Sequence, residues 1–438
     1  MTKPDSMPDE IELLVSDING IPRGKSLSSA AYSTDSRPHL AEAVLFQTIT
    51  GGYADAMGLY DANDGDLILE PDWSTYRPTP WKSGSVGQVI CNTLDAAGNP
   101  VAYDSRNVLK KVLNAYTALG LKPIIAPEVE FYLLQPVRSD DLSLETAVGN
   151  SGAAEFGGES FNPDALDKYT EVFEDIRRYS RQTGLELAAV VHEMGPAQVE
   201  LNVTHGEALS RADQLFQLKR LIKGCAARHQ LLASFMAKPL EALPGNGLHV
   251  HCSVLDSEGR NIFQLKRGKA PPALQHFIGG LQQYLPLAFA LISPNLNSFK
   301  RFVRDLSAPI NLEWGYDNRT TGFRVPFGDA AAGRVENRIA GADANPYLMV
   351  AATLACGLLG MQNQCAASRP VKGDAYELTT NFPEDLGEAL RILESSETLI
   401  ELLGQSFIDV FVSVKRSELT HFARSITRWE VQYLGSAI

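Results

Sequence analysis

The stretch Gly322–Leu348, GFRVPFGDAAAGRVENRIAGADANPYL, constrains the fold of this chain more than any other. It reads as two short strands, with Arg324 on the first and Arg334, Glu336 and Arg338 on the second, closed by Asn345-Pro346 into an apolar helix. Alternate strand residues share a face, so the second strand sets two cations on either side of one carboxylate. That pattern suits a metal held beside anionic oxygens. It also suits a solvated, salt-bridged edge strand, and other motifs must separate the two.

Other glutamates and histidines follow the same spacing. Glu128 and Glu130 in APEVEFYLL leave one face of a strand, while Val129, Phe131 and Leu133 leave the other. HEMGPAQVELN places Glu193 before a Gly-Pro turn and Glu200 on the strand after it, and GNGLHVHCS places His249 and His251 two apart. Singly, a strand glutamate faces water and a strand histidine sits satisfied in a core. Five glutamates and a histidine on several strands of one sheet are hard to bury without cations. Oxygen-rich ligands with one imidazole favour Mg²⁺ or Mn²⁺ over Zn²⁺. Arg301, Arg319, Arg324, Arg334 and Arg338 add a cationic rim suited to phosphates and carboxylates. Together these parts fit metal-assisted phosphoryl transfer.

At 438 residues the chain exceeds one ordinary core, and two domains are expected. Residues 11–101 read as strands and turns: IELLVSDI is a strand, NGIPRG a turn, GQVICNTL a strand. Asp104 then reads as the N-cap of a helix that stops at Gly120, which puts a boundary near residue 102. Beyond it, strands (IIAPEVEFYLL, QVELNVT, LLASFMAK, GLHVHCSVLD, GRVENRIA) alternate with helices over Ala165–Thr183, Glu207–Gln230, Pro272–Leu291, Pro346–Gln362 and a tail from Pro383. The expectation is an α+β protein: a small β-rich domain over 1–102, then a catalytic domain over 103–438 with a mainly antiparallel sheet. Gly20-Ile-Pro-Arg-Gly24-Lys25-Ser26 echoes a phosphate-binding loop but has three residues between its glycines where four are required, and reads as a turn.

The net charge of −13 argues against a nucleic-acid partner. No apolar run reaches membrane-spanning length, and the polar start MTKPDSMPDE does not read as a signal peptide. Five scattered cysteines without CxxC spacing fit a reducing cytoplasm.

The motifs PEVEFYL, HEMGPAQVELN, GNGLHVH, NSFKRFV, DNRTTGFRVP, GRVENR and ADANPYL occur in one order that makes the chain resemble the glutamine synthetase superfamily, type I, over essentially its whole length. The resemblance implies an N-terminal β-grasp domain and a catalytic domain whose curved sheet, flanked by helices, holds an open, barrel-like site. It implies ATP and two or more divalent ions per site. Glu130, Glu193 and Glu200 would bind the ion nearer the acid substrate, and Glu128, His249 and Glu336 the ion at the ATP phosphates. Arg301 and Arg338 would grip glutamate, with Gly245 near its amino group. Arg319, Arg324 and Arg334 would neutralise the phosphoryl group in flight, and His251 and Ser253 would lie near the nucleotide. The implied assembly is a homo-oligomer, a dodecamer of stacked rings with sites at subunit junctions.

The chain departs from that family at two places. Glutamine synthetases carry a glutamate before Ala-Pro in the loop after the Lys-Arg pair, and it helps take a proton from ammonium. Here KRFVRDLSAP puts Ser307 there. The ammonium-binding aspartate of the N-terminal domain aligns, more loosely, with Gln47 or Thr48. Serine and glutamine supply no charge, and a serine leaves room for an alkyl group. The expected nucleophile is therefore a primary amine larger than ammonia, and LSAPINLEWGYDNRT is similar to the pattern of γ-glutamylpolyamine synthetases. Asp55, Asp61, Asp64 and Asp66 are candidates for an acidic mouth, and Phe46, Tyr53, Tyr60, Trp314 and Tyr316 for an aromatic amine pocket. Competing expectations are an authentic glutamine synthetase using ammonium and a non-catalytic structural or regulatory member.

Overall fold

A computed structural model describes residues 7–32, 37–54, 64–136, 143–157, 159–378 and 382–435. Asp55, Tyr60 and Asp61 lie outside the described residues. The architecture is α+β, with two sheets that share no strand.

The first sheet is built from β1 (Glu10–Ser16), β2 (Pro22–Ser28), β3 (His39–Ala41), β4 (Asp66–Pro71), β5 (Arg77–Pro78) and β6 (Val86–Leu94), in the order β2-β1-β6-β4-β3 with β5 on β6. The expected turn NGIPRG is shorter than its motif. Asp17 accepts from Asn19 N and Ile21 N, both at 2.9 Å, and the chain is already back in a strand at Pro22. Gly24 lies inside that hairpin at φ +152°, where a Cβ would stand 1.7 Å from Leu13 O. The phosphate-loop echo is thus a strand pair.

The helix Ser105–Ala118 begins as expected, with Asp104 Oδ1 accepting from Asn107 N at 2.9 Å. The second sheet follows: β7 (Lys122–Leu134), β8 (Leu187–His192), β9 (Gln198–Val203), β10 (Gly206–Glu207), β11 (Leu232–Ser234), β12 (Leu248–Leu255), β13 (Trp314–Tyr316), β14 (Phe323–Val325) and β15 (Val335–Asn337). Its order is β13-β14-β15-β12-β7-β9-β8, with β10 and β11 also on β7, and every pairing except β13–β14 is antiparallel. The sheet curves, and one face is apolar: Val129, Phe131 and Leu133 are fully buried against helices that include Ala208–Arg228.

The helix Pro346–Gln362 matches its expected bounds and is buried on all sides from Pro346 to Gly360. Asn345 caps it, accepting from Tyr347 N, and donates from Nδ2 to Asp17 O at 2.9 Å, tying the first sheet's turn to the second sheet's helix layer. Two expected helices are broken. Pro272–Leu291 stops at Tyr284, because Pro286 cannot continue it, and resumes as Phe289–Ile292. Ala165–Thr183 divides into Pro163–Asp167 and Thr170–Thr183, where Lys168 O is taken by Asn150 N at 2.8 Å. No helix among the described residues is long and apolar enough to cross a membrane.

Candidate active site

Strand register assembles the polar face of the second sheet. Glu130 on β7 lies opposite Glu200 on β9. Glu128 lies opposite His249 on β12, and His251 opposite Glu336 on β15. Arg324 on β14 lies opposite Glu336 in turn. Four neighbouring pairings thus bring one row of charged side chains to one face. Glu193 joins at the turn after β8, where its N donates to Gln198 O at 2.8 Å.

Ligand atoms of three triads lie within 4.8 Å of one another: Glu130, Glu193 and Glu200; Glu128, Glu200 and His249; Glu128, His251 and Glu336. His249 Nδ1 is also 3.8 Å from Glu336 Oε1. Burial, then repulsion from Glu130, pushes the Glu193 carboxyl up to about 8. Burial, then Glu128, Glu130 and Glu193, pushes Glu200 up to about 9. Burial opposes ionisation of Glu128 as well, but His249 and His251 outweigh it and hold that group well below the carboxylate range. Buried carboxylates that resist ionisation because of burial and of one another are what a divalent cation relieves. The donor set, oxygen-rich with imidazole, fits Mg²⁺ or Mn²⁺.

The expectation for Glu336 needs one correction. Two arginines do flank it, but they are Arg338 (Nη1 to Oε1, 2.7 Å) and Arg324 (Nη1 to Oε2, 2.6 Å). β15 ends before Arg334 on one side, and Arg334 Nη1 donates to Ala332 O instead. Among the described residues no carboxylate pairs with Arg319 or Arg334. Both line a cavity of about 1660 Å³ that also takes in Glu128, Glu130, Glu193, Glu200, His249, His251, Ser253, Gly245, Arg301, Ser307, Arg324 and Arg338. These sequence candidates are therefore brought to one place, with Glu336 fully buried behind the lining residues Arg324 and Arg338.

Arg301 and Arg338 are 2% and 7% exposed, and the Nε atom of each has no partner among the described residues. Arg301 Nη1 donates to Ile339 O at 2.7 Å, which fixes the guanidinium against the wall. Gly245 packs on it so closely that a Cβ would meet Arg301 Cγ at 2.7 Å and Ala237 O at 2.4 Å. Ser307, at φ +67°, donates from Oγ to Met194 Sδ at 2.9 Å, so its bend rests beside Glu193.

Several supporting residues, some of them inside the quoted motifs, were given no role by sequence alone. Glu130 Oε2 accepts from Gly247 N at 2.7 Å. Gln198 Nε2 donates to Gly245 O at 3.0 Å, linking the two walls. Buried His192 rests between Glu193 O (2.8 Å from Nδ1) and the Glu155 carboxylate (3.0 Å from Nε2). Met194, Asp305, Asp374 and Tyr376 line the cavity unforeseen. In contrast, Gln47, Thr48, Asp64, Asp66, Phe46, Tyr53, Trp314 and Tyr316 do not line it in this chain. Phe46 and Trp314 are core residues.

A curved, mainly antiparallel sheet presenting paired carboxylates, histidines and arginines into one large cavity fits the class of metal-dependent phosphoryl-transfer enzymes. A family model described as "Glutamine synthetase, catalytic domain" matches residues 102–434, and the chain belongs to the glutamine synthetase family. It is 31% identical over 430 residues to a gamma-glutamylputrescine synthetase of Escherichia coli K12, covering 97% of this chain and 91% of that protein. It is 33% identical over 446 residues to a glutamine synthetase of Pyrococcus abyssi, covering 97% and 96%. It is 31% identical over 449 residues to a glutamate–isopropylamine ligase of a Pseudomonas species, covering 97% and 94%. A solved structure titled "Apo GmaS without ligand" superposes with a TM-score of 0.85 at 28% identity, covering 98% of this chain and 97% of that one. The protein is thus a ligase of the glutamine synthetase type, a family whose enzymes use ATP and divalent metals.

Proposed function

We propose that the enzyme joins the γ-carboxylate of glutamate to a primary amine larger than ammonia, at the expense of ATP. A carboxylate is a poor electrophile, so the γ-phosphoryl group of ATP first passes to it. The amine nitrogen then attacks the γ-glutamyl phosphate, forming the C–N bond as the C–O bond to phosphate breaks. Arg301 and Arg338 hold the glutamate carboxylates, and Gly245 leaves space for its amino group. Arg319, Arg324 and Arg334 offset charge on the phosphoryl oxygens, and His251 and Ser253 face the nucleotide. Glu130, Glu193 and Glu200 would hold one divalent ion and Glu128, His249 and Glu336 another, Mg²⁺ or Mn²⁺. Such ions supply charge neutralisation at the phosphates.

The observation that carries the amine assignment is Ser307. It lines the cavity beside Met194 and Glu193, where a glutamine synthetase has a glutamate. Relatives named for putrescine and isopropylamine support the same reading. The glutamine synthetases of similar identity favour the second reading, an authentic enzyme for ammonium. The reading assigns residues 1–102 to an N-terminal β-grasp domain and 103–438 to the catalytic domain of a cytoplasmic homo-oligomer, a dodecamer with sites at subunit junctions. Phosphate release with ATP, Mg²⁺ and glutamate, across ammonium, monoamines and diamines, tests it. Turnover fastest with an alkylamine supports the reading, and turnover fastest with ammonium rejects it.

A further inference from the structure

Resting on the amine-ligase reading, we propose that Asp305 is the carboxylate that receives the alkylammonium substrate and takes its proton before attack. Asp305 and Ser307 stand on one bend, at φ +63° and +67°, and both line the cavity. The charge absent at 307 is therefore present two residues earlier on the same bend, while the volume at 307 is released. Aspartate is among the residues that tolerate a left-handed backbone.

The cavity has an electrostatic gradient that makes this the landing point. Its inner wall carries Arg301 and Arg338, each with an Nε that has no partner among the described residues, and Arg319, which pairs with no carboxylate among them. With the neighbouring glutamates engaged by divalent ions, that wall draws anions and repels an ammonium. Tyr376, also on the cavity lining, feels both ends: burial raises its phenol, Arg338 and Arg301 lower it, and Asp305 and Asp374 raise it. Asp305 is thus within electrostatic reach of the same ring as the arginines that face the acid substrate. Arg304 is its only ion-pair partner among the described residues, at 3.4 Å, and Arg304 also pairs with Glu377. One guanidinium shared by two carboxylates leaves net negative charge on this rim.

The step balances. The ammonium gives one proton to the Asp305 carboxylate, which passes it to water. The freed lone pair attacks the acyl carbon, phosphate leaves with the C–O bonding pair, and the second nitrogen proton departs with phosphate.

The test compares wild type, Asp305→Asn and Asp305→Glu with ATP, Mg²⁺ and glutamate. The nucleophiles are a monoamine, a diamine and hydroxylamine, which is uncharged at neutral pH. Asparagine keeps the left-handed preference, so the bend is preserved. The expected result is a rise in amine KM that lowers amine turnover at least ~10-fold relative to hydroxylamine in Asp305→Asn, with most of it recovered in Asp305→Glu. An equal loss for hydroxylamine and amines, or no loss, overturns the proposal while leaving amine ligation intact. A wild type that uses ammonium and no amine overturns the amine-ligase reading itself, and the role of Asp305 with it.

Discussion

Glu130 and Glu200 face each other directly across β7 and β9, two carboxylates in one antiparallel pair. Like charges in that relation destabilise a sheet. With Glu193 they form a triad whose ligand atoms lie within 4.8 Å of one another, a crowding that protons or a divalent cation would relieve.

That relation fixes a pH dependence. Burial and the neighbouring carboxylates push Glu193 and Glu200 up to about 8 and about 9 in the folded chain, against about 4.3 when unfolded. Raised folded values mean that the native state binds more protons, so this contribution to stability is full below the unfolded value and is lost as pH rises through 8 and 9. The melting temperature of the chelator-treated protein should therefore fall between about pH 5 and 9, by roughly 5 °C or more. Saturating Mg²⁺ should restore it most at the alkaline end. Scanning calorimetry in chelator that shows stability rising across that range would contradict the account.

Glu200→Gln separates stability from function. Removing one of the opposed charges should leave the melting temperature of the cation-free protein equal or higher at pH 8. Metal affinity and ligase activity should drop on the order of 100-fold. Isothermal titration with Mg²⁺ and steady-state phosphate release read the two effects.

Gly245→Ala probes the glutamate end. The added Cβ meets Ala237 O at 2.4 Å and Arg301 Cγ at 2.7 Å, and backbone cannot retreat as a flexible side chain can. Overpacking of this kind costs about 1–3 kcal/mol. The KM for glutamate should rise while the KM for ATP changes little, because Arg301 is displaced and the nucleotide end is not.

Ser307→Glu should reverse specificity. A carboxylate at 307 adds an anion and fills the space beside Met194. The ratio of amine to ammonium turnover should fall ~10-fold or more, about 1.4 kcal/mol of discrimination. An unchanged ratio would mean that 307 does not border the nucleophile.

Much of this site was legible because strand alternation projects onto faces without knowledge of tertiary structure. Glu128 with Glu130, and His249 with His251, could be placed on shared faces from spacing alone. So could the cap at Asp104 and the helix after Asn345-Pro346, which depend on local backbone chemistry. What spacing does not encode is which strand lies beside which. The identity of the arginine opposite Arg338 at Glu336 depends on the β14–β15 register, and so Arg334 was expected where Arg324 stands. β8 was missed because its Ala188 and Ala189 are exposed and give no apolar alternation. Asp305 was passed over because its place on the rim comes from a loop conformation, set by positive φ at two non-glycine residues. Pro286 was a legible break that helical periodicity on either side concealed.

The most direct measurement is a competition. The enzyme is supplied with ATP, Mg²⁺, glutamate and equal concentrations of ammonium and an alkylamine or diamine, and the products are resolved by mass spectrometry. The account predicts that a γ-glutamyl alkylamide is the main product and glutamine a minor one. Glutamine as the main product, whichever amine competes, would contradict it.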